Sequence, residues 1–301
     1  MSQVITLHHV FIINPIAGKG RAVQMIGDIK SKFKDFIQSF EISITEAPGH
    51  ATEIAKKAVS NGEAVRIYSV GGDGTLNEIV NGIAGFPNVE LGIIPCGSGN
   101  DVARYLYPVI DPLKLIRVLP VSTSKTIDLG KLNGNYFFNI ASIGFDAEVV
   151  RNSRYFKRSP LVSGSMSYIL AVLVTLIKCK KYKLKITLDN NTPIEKEFLL
   201  TIFANGSYYG GGMLAAPSAK MDDGIFDFYL VDSLPRRRIL RFFPRFKRGK
   251  HENMKEVSMS RGTKAMVESE NPFPVNIDGE ISLETHVSIE LFPKHIKVLI
   301  P

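Results

Sequence analysis

The sequence is poor in cysteine. Its two cysteines, Cys96 and Cys179, lie far apart, and neither belongs to a Cys-x-x-Cys pair. Because disulfide frameworks and structural zinc sites need several cysteines at set spacings, the sequence predicts neither and indicates a reduced, cytoplasmic protein. The six histidines show no metal-binding spacing either, and we expect His8 and His9 at the surface or at a strand edge. Zinc enzymes and hydrolases with a Ser-His-Asp order are therefore poorly supported.

The sequence also lacks a long apolar run. The longest one, at residues 169–177, is interrupted by Thr175 and is too short to cross the ~30 Å hydrocarbon core of a bilayer. The first ten residues have neither the basic start nor the long apolar stretch of a signal peptide. We therefore expect any contact with a membrane to be peripheral.

Acidic residues are outnumbered by basic ones. The 37 lysines and arginines against 29 aspartates and glutamates give a net charge of +8, and the pI is near 9.3. This charge indicates an anionic partner: a phosphorylated substrate, a nucleic acid or an anionic membrane surface. The length of 301 residues allows one or two domains, since single domains usually have ~100–150 residues.

The first half of the chain alternates apolar strands with helical patterns. Strands are expected at 9–14, 39–45, 65–70 and 91–95, and the alternation predicts βαβ units in a mainly parallel sheet. Glycine-rich loops follow three of these strands, at Gly18, Gly72 and Gly97. Loops at the carboxyl ends of parallel strands share one edge, where ligands bind, so we expect the three loops to lie together.

The pattern changes near Thr126. Short strands are expected at 136–143, 182–188, 197–204, 226–231, 265–269, 275–277 and 287–292. Separated by turn signals, such as Asn133-Gly134 and residues 222–224, they predict an antiparallel β-rich domain. One clear helix is expected inside it, at residues 163–178. The chain is therefore expected to form an α/β domain at residues 1–127 and a β-rich domain at residues 128–301, whose last strand can pack back on the first domain.

The most informative segment is the run from Gly71 to Glu78, GGDGTLNE. It follows a predicted strand and opens a helical pattern. Its glycines let backbone amides approach an anion, and a helix N-terminus carries partial positive charge. Asp73 offers the carboxylate that a Mg²⁺ ion balancing phosphate charge would need. Since the Lys-Ser/Thr ending of a Walker-A loop is missing, the run predicts a different kind of site for nucleotide phosphate and metal.

Seven segments together resemble one known family: NPIAGKG, TEAPGHATE, GGDGTLNE, IPCGSGNDVAR, IDLGKLNG, ANGSYYGGGMLAAPSAKMDDGIFD and NIDGE. Their order and spacing are similar to the diacylglycerol kinase catalytic family over essentially the whole chain, and most of all to its soluble bacterial lipid kinases, which are related to sphingosine kinases. NAD kinases carry a loop like GGDGT, but IPCGSGND with the DDG and DGE segments separates the two. The resemblance implies an NAD kinase/diacylglycerol kinase-like α/β domain, a β-rich lipid-substrate domain and an active site in the cleft between them, with ATP and Mg²⁺ as cofactors.

The resemblance also assigns residues to nucleotide binding. These are Asn14, Pro15, Ile16, Ala17, Gly18, Thr45, Gly71, Gly72, Asp73, Gly74, Thr75, Leu76, Asn77, Ser98, Asp101 and Asp128. For Thr45 and Ser98 a role in a turn or a helix cap is the alternative. Four loop aspartates, at positions 73, 101, 128 and 278, are placed by the resemblance in one network. Close carboxylates repel each other unless a cation shares the site, and Mg²⁺ bound to ATP would supply one, often through water.

The segment Asp278-Gly279-Glu280 is the best candidate for the chemistry. A lipid hydroxyl has a high pKa, so its attack on phosphorus is helped by a base, while phosphoryl transfer otherwise depends on alignment and charge neutralisation. The resemblance assigns a proton acceptor to this segment, either Glu280 or Asp278, and a plain hairpin turn is the alternative.

A second Mg²⁺ site is implied by the resemblance at the loop that contains Asp223. The Asp223 carboxylate and the main-chain oxygens of Lys220 and Ile225 would hold the ion. A β-turn stabilised by Asp222 is the alternative.

Residues 235–250 mix clustered cations with phenylalanine and leucine. Each cation near an anionic leaflet contributes ~1 kcal/mol, and the phenylalanines could insert shallowly. We therefore expect docking on an anionic membrane surface; a solvated basic helix or nucleic-acid binding are the alternatives. Residues 166–174 fit either core packing, which we favour, or the lining of a lipid cleft. Residues 208–213 are expected to border the active site.

The sequence thus predicts a cytoplasmic, peripherally membrane-associated, ATP- and Mg²⁺-dependent lipid kinase that binds no nucleic acid. Diacylglycerol, giving phosphatidic acid, is the preferred acceptor. Phosphatidylglycerol, a sphingoid base, an NAD kinase-like reaction and a nucleotide-binding regulator without turnover remain open, and so does a homodimer.

Overall fold

The computed structural model describes residues 7–34, 39–157, 171, 174, 175 and 180–301. The chain forms two compact units: Met1–Leu129 with Pro293–Pro301, and Gly130–Phe292. Most of the helix predicted at residues 163–178, and of the apolar pattern at residues 166–174, lies outside the described residues.

The first unit alternates strands and helices. Its strands are β1 (His8–Ile13), β2 (Phe40–Ile44), β3 (Val65–Gly71), β4 (Val89–Pro95) and most of β5 (Thr123–Leu132), and its described helices are α1 (Arg21–Lys34), α2 (His50–Val59), α3 (Asp73–Ile83), α4 (Asp101–Leu106) and α5 (Pro112–Val118). The sheet order is β2-β1-β3-β4, with every pair parallel. The end of the last strand joins this sheet, because Val298 pairs in parallel with Leu91.

Strand β1 lies inside this sheet, between β2 and β3, which changes the interpretation of the two histidines. His9 is only 3% exposed, and its Nδ1 lies 2.8 Å from the Tyr68 hydroxyl oxygen. Burial, with the nearby charge of Arg66, lowers the pKa of His9 to about 4. The expectation of a surface or strand-edge position is therefore wrong for His9. His8 is partly exposed.

The second unit is built mainly from antiparallel strands. Its elements are β6 (Asn135–Phe137), β7 (Ile140–Gly144), α6 (Phe145–Lys157), β8 (Tyr182–Leu188), β9 (Ile194–Ala204), β10 (Tyr208–Tyr209), β11 (Met213–Leu214), β12 (Phe226–Asp232), α7 (Arg236–Lys247), β13 (Val257–Gly262), β14 (Lys264–Ile277) and β15 (Glu280–Ile300), whose end belongs to the first unit. The main sheet runs β13-β12-β9-β7-β14-β15, and β8 pairs with β9 and β14.

This sheet buries both of its faces. Successive residues of a strand point to opposite faces, and in β12 Phe228 and Leu230 join one apolar cluster while Tyr229 and Val231 join the other. The prediction of an antiparallel β-rich region is confirmed in the described part of the second unit. The expectation of a single helix there is wrong, since α6 and α7 are both present.

Three predicted strands of the second unit have different limits. The expected strand at 136–143 is split into β6 and β7, because the amides between them bind a side chain instead of a neighbouring strand. The expected strands at 265–269 and 275–277 are one strand, β14, whose register with β15 shifts between Glu268 and Phe273. Pro272 lies in that shift, and proline cannot donate a ladder hydrogen bond.

Helix α7 buries the phenylalanines that the sequence suggested for membrane insertion. Phe242 and Phe246 are fully buried, and Phe243 packs partly buried against the same core. The large apolar residue that α7 exposes is Leu240, at 57%. The insertion hypothesis is therefore wrong for these phenylalanines, whereas the arginines of the helix are exposed. Among the described residues, no helix has the length and apolar character needed to cross a bilayer.

Candidate active site

The loop after β1 is fixed to the start of α3 by Asn14. Its amide Nδ2 donates to the Thr75 hydroxyl at 3.0 Å, and its Oδ1 accepts the Ile16 amide at 3.2 Å. Its backbone amide donates to the Val70 carbonyl at the end of β3. The Asn14 side chain therefore shapes the first loop and ties it to α3, and the Asn14 backbone ties the loop to the third strand. Ile16 itself is 82% exposed.

Backbone contacts bring the three glycine-rich loops together. Gly18 has φ +60°, and an added Cβ would collide with the Cys96 carbonyl oxygen. A Cβ on Gly97 would lie 2.5 Å from the Gly72 Cα atom. The amides of Cys96 and Gly97 both donate to the Gly71 carbonyl, at 2.7 and 3.1 Å. Only residues without side chains fit these approaches, so the glycines that the sequence singled out create one continuous backbone surface.

Asp73 joins the loop after β3 to the loop after β4. It is the first residue of α3, and its two carboxylate oxygens accept the amides of Asn100 at 2.7 Å and Asp101 at 2.8 Å. Burial raises the pKa of Asp73, while these amide hydrogen bonds oppose the shift. The N-cap residue of α3 is Gly72, which has no side chain with which to cap the helix. A helix N-terminus without a capping side chain suits an anion, because its first amides lack partners within the helix and the helix dipole is positive there.

Asn100 is a site residue that sequence reasoning missed. It adopts the left-handed conformation, with φ +53°. Its Oδ1 accepts the Gly97 amide at 3.0 Å, and its Nδ2 donates to the Gly97 carbonyl at 2.8 Å. The loop after β4 is thus closed by hydrogen bonds between its own residues. Ser98 lies exposed between Gly97 and Asn100. The available signal was an asparagine in a glycine loop, since asparagine tolerates this conformation better than most residues.

Three more of the predicted residues of the first unit lie at a strand end or are buried. Thr45 follows β2, and its amide donates to the Ile13 carbonyl at 2.9 Å. Asp128 is buried in β5 and accepts the Lys294 amide at 2.7 Å. Asp101 is also buried. Within the described chain, no three His, Cys, Asp or Glu side chains lie close enough together to hold a metal ion. That the four loop aspartates share a Mg²⁺ ion through ATP and water molecules stays a prediction.

Glu78 is a second residue whose role sequence reasoning missed. It ends the GGDGTLNE run, and its Oε2 accepts the Ala51 amide at 3.2 Å, at the start of α2. Its carbonyl accepts the Thr52 hydroxyl at 2.8 Å. The GGDGTLNE and TEAPGHATE segments are therefore joined directly, which fixes the two helices that follow the second and third strands.

In the second unit, Asp278 and Gly279 form the two-residue turn between β14 and β15. Ile277 and Glu280 pair across it, and both turn residues have positive φ, +47° and +100°, as type I′ hairpins require. The Asp278 carboxylate accepts three backbone amides, from Phe138 at 2.7 Å, Asn139 at 3.1 Å and Ile140 at 3.0 Å. The hairpin alternative is thus correct as a description of the backbone.

The two acidic residues of this turn differ in their surroundings. Both oxygens of Asp278 are hydrogen bonded to the backbone of the segment that joins β6 to β7. Glu280 is exposed, at the first position of β15. Asp278 therefore holds the turn in place, and Glu280 is the carboxylate that the turn presents at the surface.

The Asp223 loop is an exposed turn. Lys220, Asp222 and Asp223 are all exposed, and the Ile225 amide lies 3.4 Å from Asp223 Oδ1. A turn agrees with the plainer alternative, but that alternative named Asp222 as the stabilising residue, whereas this hydrogen bond is accepted by Asp223. The donors of this loop are carboxylate and carbonyl oxygens, which are the ligand types that Mg²⁺ prefers, so the residues fit such an ion chemically.

Comparisons with known proteins decide the family. Residues 8–132 match the family model of the diacylglycerol kinase catalytic domain, and residues 139–300 match that of the YegS C-terminal NAD kinase beta sandwich-like domain. A diacylglycerol kinase of Mycobacterium tuberculosis is 32% identical, with 96% of this chain and 94% of that protein covered. The chain belongs to the diacylglycerol kinase family. It is a lipid kinase.

Solved structures agree with this assignment of the fold. A proposed diacylglycerol kinase from Bacillus anthracis superposes on this diacylglycerol kinase family member with a TM-score of 0.78 at 25% identity, covering 100% of this chain and 99% of that one. An NAD kinase from Archaeoglobus fulgidus, solved in complex with ATP, gives a TM-score of 0.52 at 14% identity, covering 97% and 93% of the two chains. The predicted NAD kinase/diacylglycerol kinase-like fold is confirmed.

Proposed function

We propose that this lipid kinase transfers the γ-phosphoryl group of ATP to the hydroxyl of a membrane lipid, with diacylglycerol as the preferred acceptor and phosphatidic acid as the product. The observation that carries the proposal is the continuous backbone surface formed by the glycine loops beside the uncapped start of α3. A surface of amides without side chains suits a polyphosphate, because it offers several donors at close approach. A relative that is 32% identical is named a diacylglycerol kinase.

Glu280 is the proposed proton acceptor. Its carboxylate takes the proton of the lipid hydroxyl as the hydroxyl oxygen forms its bond to the γ-phosphorus, and the bond to the bridging oxygen breaks so that ADP leaves. We choose Glu280 over Asp278 because the Asp278 oxygens already accept three backbone amides. Asp278 then contributes by holding the turn.

Mg²⁺ is proposed as the cofactor, in two places. On the nucleotide it would neutralise phosphate charge. In the exposed loop of the second unit the Asp223 carboxylate, with the main-chain oxygens of Lys220 and Ile225, would hold a structural ion.

The lipid substrate is proposed to be reached from an anionic membrane surface. Helix α7 exposes a row of arginines, among them Arg237, Arg241 and Arg245, and each cation near an anionic leaflet contributes ~1 kcal/mol. Because the phenylalanines are buried, the attraction is electrostatic, with Leu240 as the exposed apolar side chain. Binding to anionic vesicles should therefore weaken steeply with salt.

Radiolabelled ATP and vesicles that contain diacylglycerol test the reaction. We expect labelled phosphatidic acid from the wild type, and a fall in kcat of about 10²- to 10⁴-fold for Glu280→Gln, since that is the usual contribution of a general base. The matched control is Glu284→Gln, four residues further along β15, which should keep wild-type kinetics. Equal activity of the two variants would contradict the role of Glu280.

The same assay separates the alternatives for the acceptor. Vesicles with phosphatidylglycerol or a sphingoid base, and soluble NAD, replace diacylglycerol in parallel reactions. Labelled product only from NAD would contradict the lipid proposal, and label in another lipid would contradict diacylglycerol as the acceptor. ATP binding without labelled product from any acceptor would favour a regulator without turnover.

A further inference from the structure

A buried polar cluster contacts the turn that presents Glu280, and the proposed reaction does not use it. Asp146, the second residue of α6, is 5% exposed. Its carboxylate accepts the Ser142 hydroxyl, and the Asn276 amide Nδ2 lies 3.5 Å from the same oxygen. Ser142 and Asn276 are also buried and pair across β7 and β14. Burying a carboxylate costs free energy unless donors satisfy it, so simple core packing does not explain this arrangement.

Asn276 connects this cluster to the turn. While its Nδ2 faces Asp146, its Oδ1 accepts the Gly279 amide at 2.9 Å. A carboxylate only accepts hydrogen bonds, so it selects the amide orientation in which Asn276 offers its NH₂ group inward and its oxygen to Gly279. Gly279 directly precedes Glu280 in the chain. The oxygen that Asp146 turns toward Asn276 thus determines which way Asn276 points, and Asn276 determines how the turn is held.

The Asp146 carboxylate is held by more than one donor. Burial raises the pKa of Asp146, whereas hydrogen bonds from Ser142, the Ala147 amide and Asn276 oppose that shift.

We propose that Asp146 is a positioning residue for phosphoryl transfer, which fixes the Glu280 turn through Asn276. This inference rests on the proposed role of Glu280. Asp146 touches none of the reacting atoms in this scheme. It acts by removing the alternative orientation of Asn276, in which Gly279 would lose its acceptor.

The variant Asp146→Asn tests this with little change in volume. An asparagine offers a donor as well as an acceptor, so Asn276 can reverse and leave Gly279 without its hydrogen bond. We expect kcat to fall about 10- to 100-fold, because a small misplacement of a reacting group has an effect of this size. The KM for ATP should stay within about twofold of the wild type. The matched control is Asp227→Asn, which changes a carboxylate that is only 2% exposed and pairs with Arg261. It should unfold more easily but keep its kcat.

A double-mutant cycle tests the route through Asn276. If Asp146 acts by orienting Asn276, the variant Asp146→Asn with Asn276→Ala should lose no more kcat than Asn276→Ala alone. Losses that multiply would overturn the route. Should Asp146→Asn fail to fold, Ser142→Ala takes its place in the cycle, because it removes a donor that holds Asp146 and should lower kcat in the same direction by a smaller factor.

Hydrogen exchange at the Gly279 amide gives a readout that needs no lipid. The amide should be protected in the wild type and in Asp227→Asn, and should exchange at least tenfold faster in Asp146→Asn. Unchanged protection would overturn the inference whatever the activities are. Faster exchange with an unchanged kcat would overturn the link to catalysis. A wild type that phosphorylates no lipid but shows this exchange pattern would overturn the proposed function alone and would support the positioning of the turn.

Discussion

The carboxylate of Asp73 holds the loops after β3 and β4 together through two backbone amides, so its removal is a direct test of the nucleotide site. In Asp73→Ala the amides of Asn100 and Asp101 lose acceptors that lie 2.7 and 2.8 Å away. Hydrogen bonds to a charged group contribute about 1.5–3 kcal/mol each. Burial raises the pKa of Asp73, which means that its charge is itself costly to bury and offsets part of this sum. We therefore expect the free energy of unfolding to fall by about 2–3 kcal/mol.

The effect on catalysis should be larger than the effect on stability. Without the Asp73 carboxylate, the loop after β4 is no longer held against the start of α3. The surface of backbone amides that we propose for the phosphates is then lost. We expect Asp73→Ala to abolish measurable turnover in the vesicle assay while the protein still unfolds cooperatively in urea. Asp73→Asn should lie between this variant and the wild type, because its amide oxygen can accept one of the two amides and its NH₂ group opposes the other.

Asp111→Ala is the matched control for this prediction. Asp111 is the N-cap of α5 in the same unit, and its Oδ1 accepts the Leu113 amide at 3.0 Å. Loss of such a cap costs about 1 kcal/mol and should leave kcat and the KM for ATP unchanged. Normal turnover in Asp73→Ala would remove Asp73 from the mechanism. An unchanged free energy of unfolding in urea would refute the argument that the two hydrogen bonds of Asp73 stabilise the contact between the loops after β3 and β4.

Two further predictions concern the first unit. Gly18→Ala should raise the KM for ATP at least about tenfold, because its Cβ would meet the Cys96 carbonyl at positive φ. Gly27→Ala is the control, since a Cβ there meets nothing within 4 Å, and its KM for ATP should not rise. Equal KM values for the two variants would contradict the close approach of the loops. Burial lowers the pKa of His9 from 6.5 to about 4, so below pH 6.5 the unfolded chain binds more protons and stability is lost as the pH falls. Between pH 7.5 and 5 His9 should account for about 2 kcal/mol of lost stability, measured by urea unfolding; a His9→Gln variant with the same pH dependence would contradict this.

The sequence predicted the first unit well because its signals are local. Strands β1, β3 and β4 are mainly apolar runs, the loops after them contain glycine, and the contact between Gly18, Gly72 and Gly97 follows from loops that share one sheet edge. Sequence reasoning missed the function of Asn100 because a hydrogen bond within a four-residue loop leaves no periodic pattern. It misplaced His9 because a single apolar strand does not show whether it lies inside a sheet or at its edge.

The second unit was harder to predict because its decisive contacts are distant in sequence. Asp278 binds amides about 140 positions earlier in the chain, and these contacts break the expected strand at 136–143 in two. The phenylalanines of α7 sit among cations in the sequence, and only the packing shows that they face the core. The composition of this segment therefore predicted the positive charge of the helix surface correctly. It assigned the phenylalanines to a membrane, whereas they pack in the protein core.

A hairpin turn and a catalytic segment are often treated as competing explanations of an Asp-Gly pair, and this turn shows why both can hold. A type I′ turn needs two residues that accept positive φ, which Asp278 and Gly279 supply. Such a turn at a strand end is mobile unless its polar groups are held, and here the Asp278 carboxylate binds three amides while Asn276 binds the Gly279 amide. The residues that satisfy the turn are thereby committed to the backbone. A base must exchange a proton with substrate, so the proposed reaction assigns that role to the first acidic residue after the turn, Glu280, whose position the turn controls.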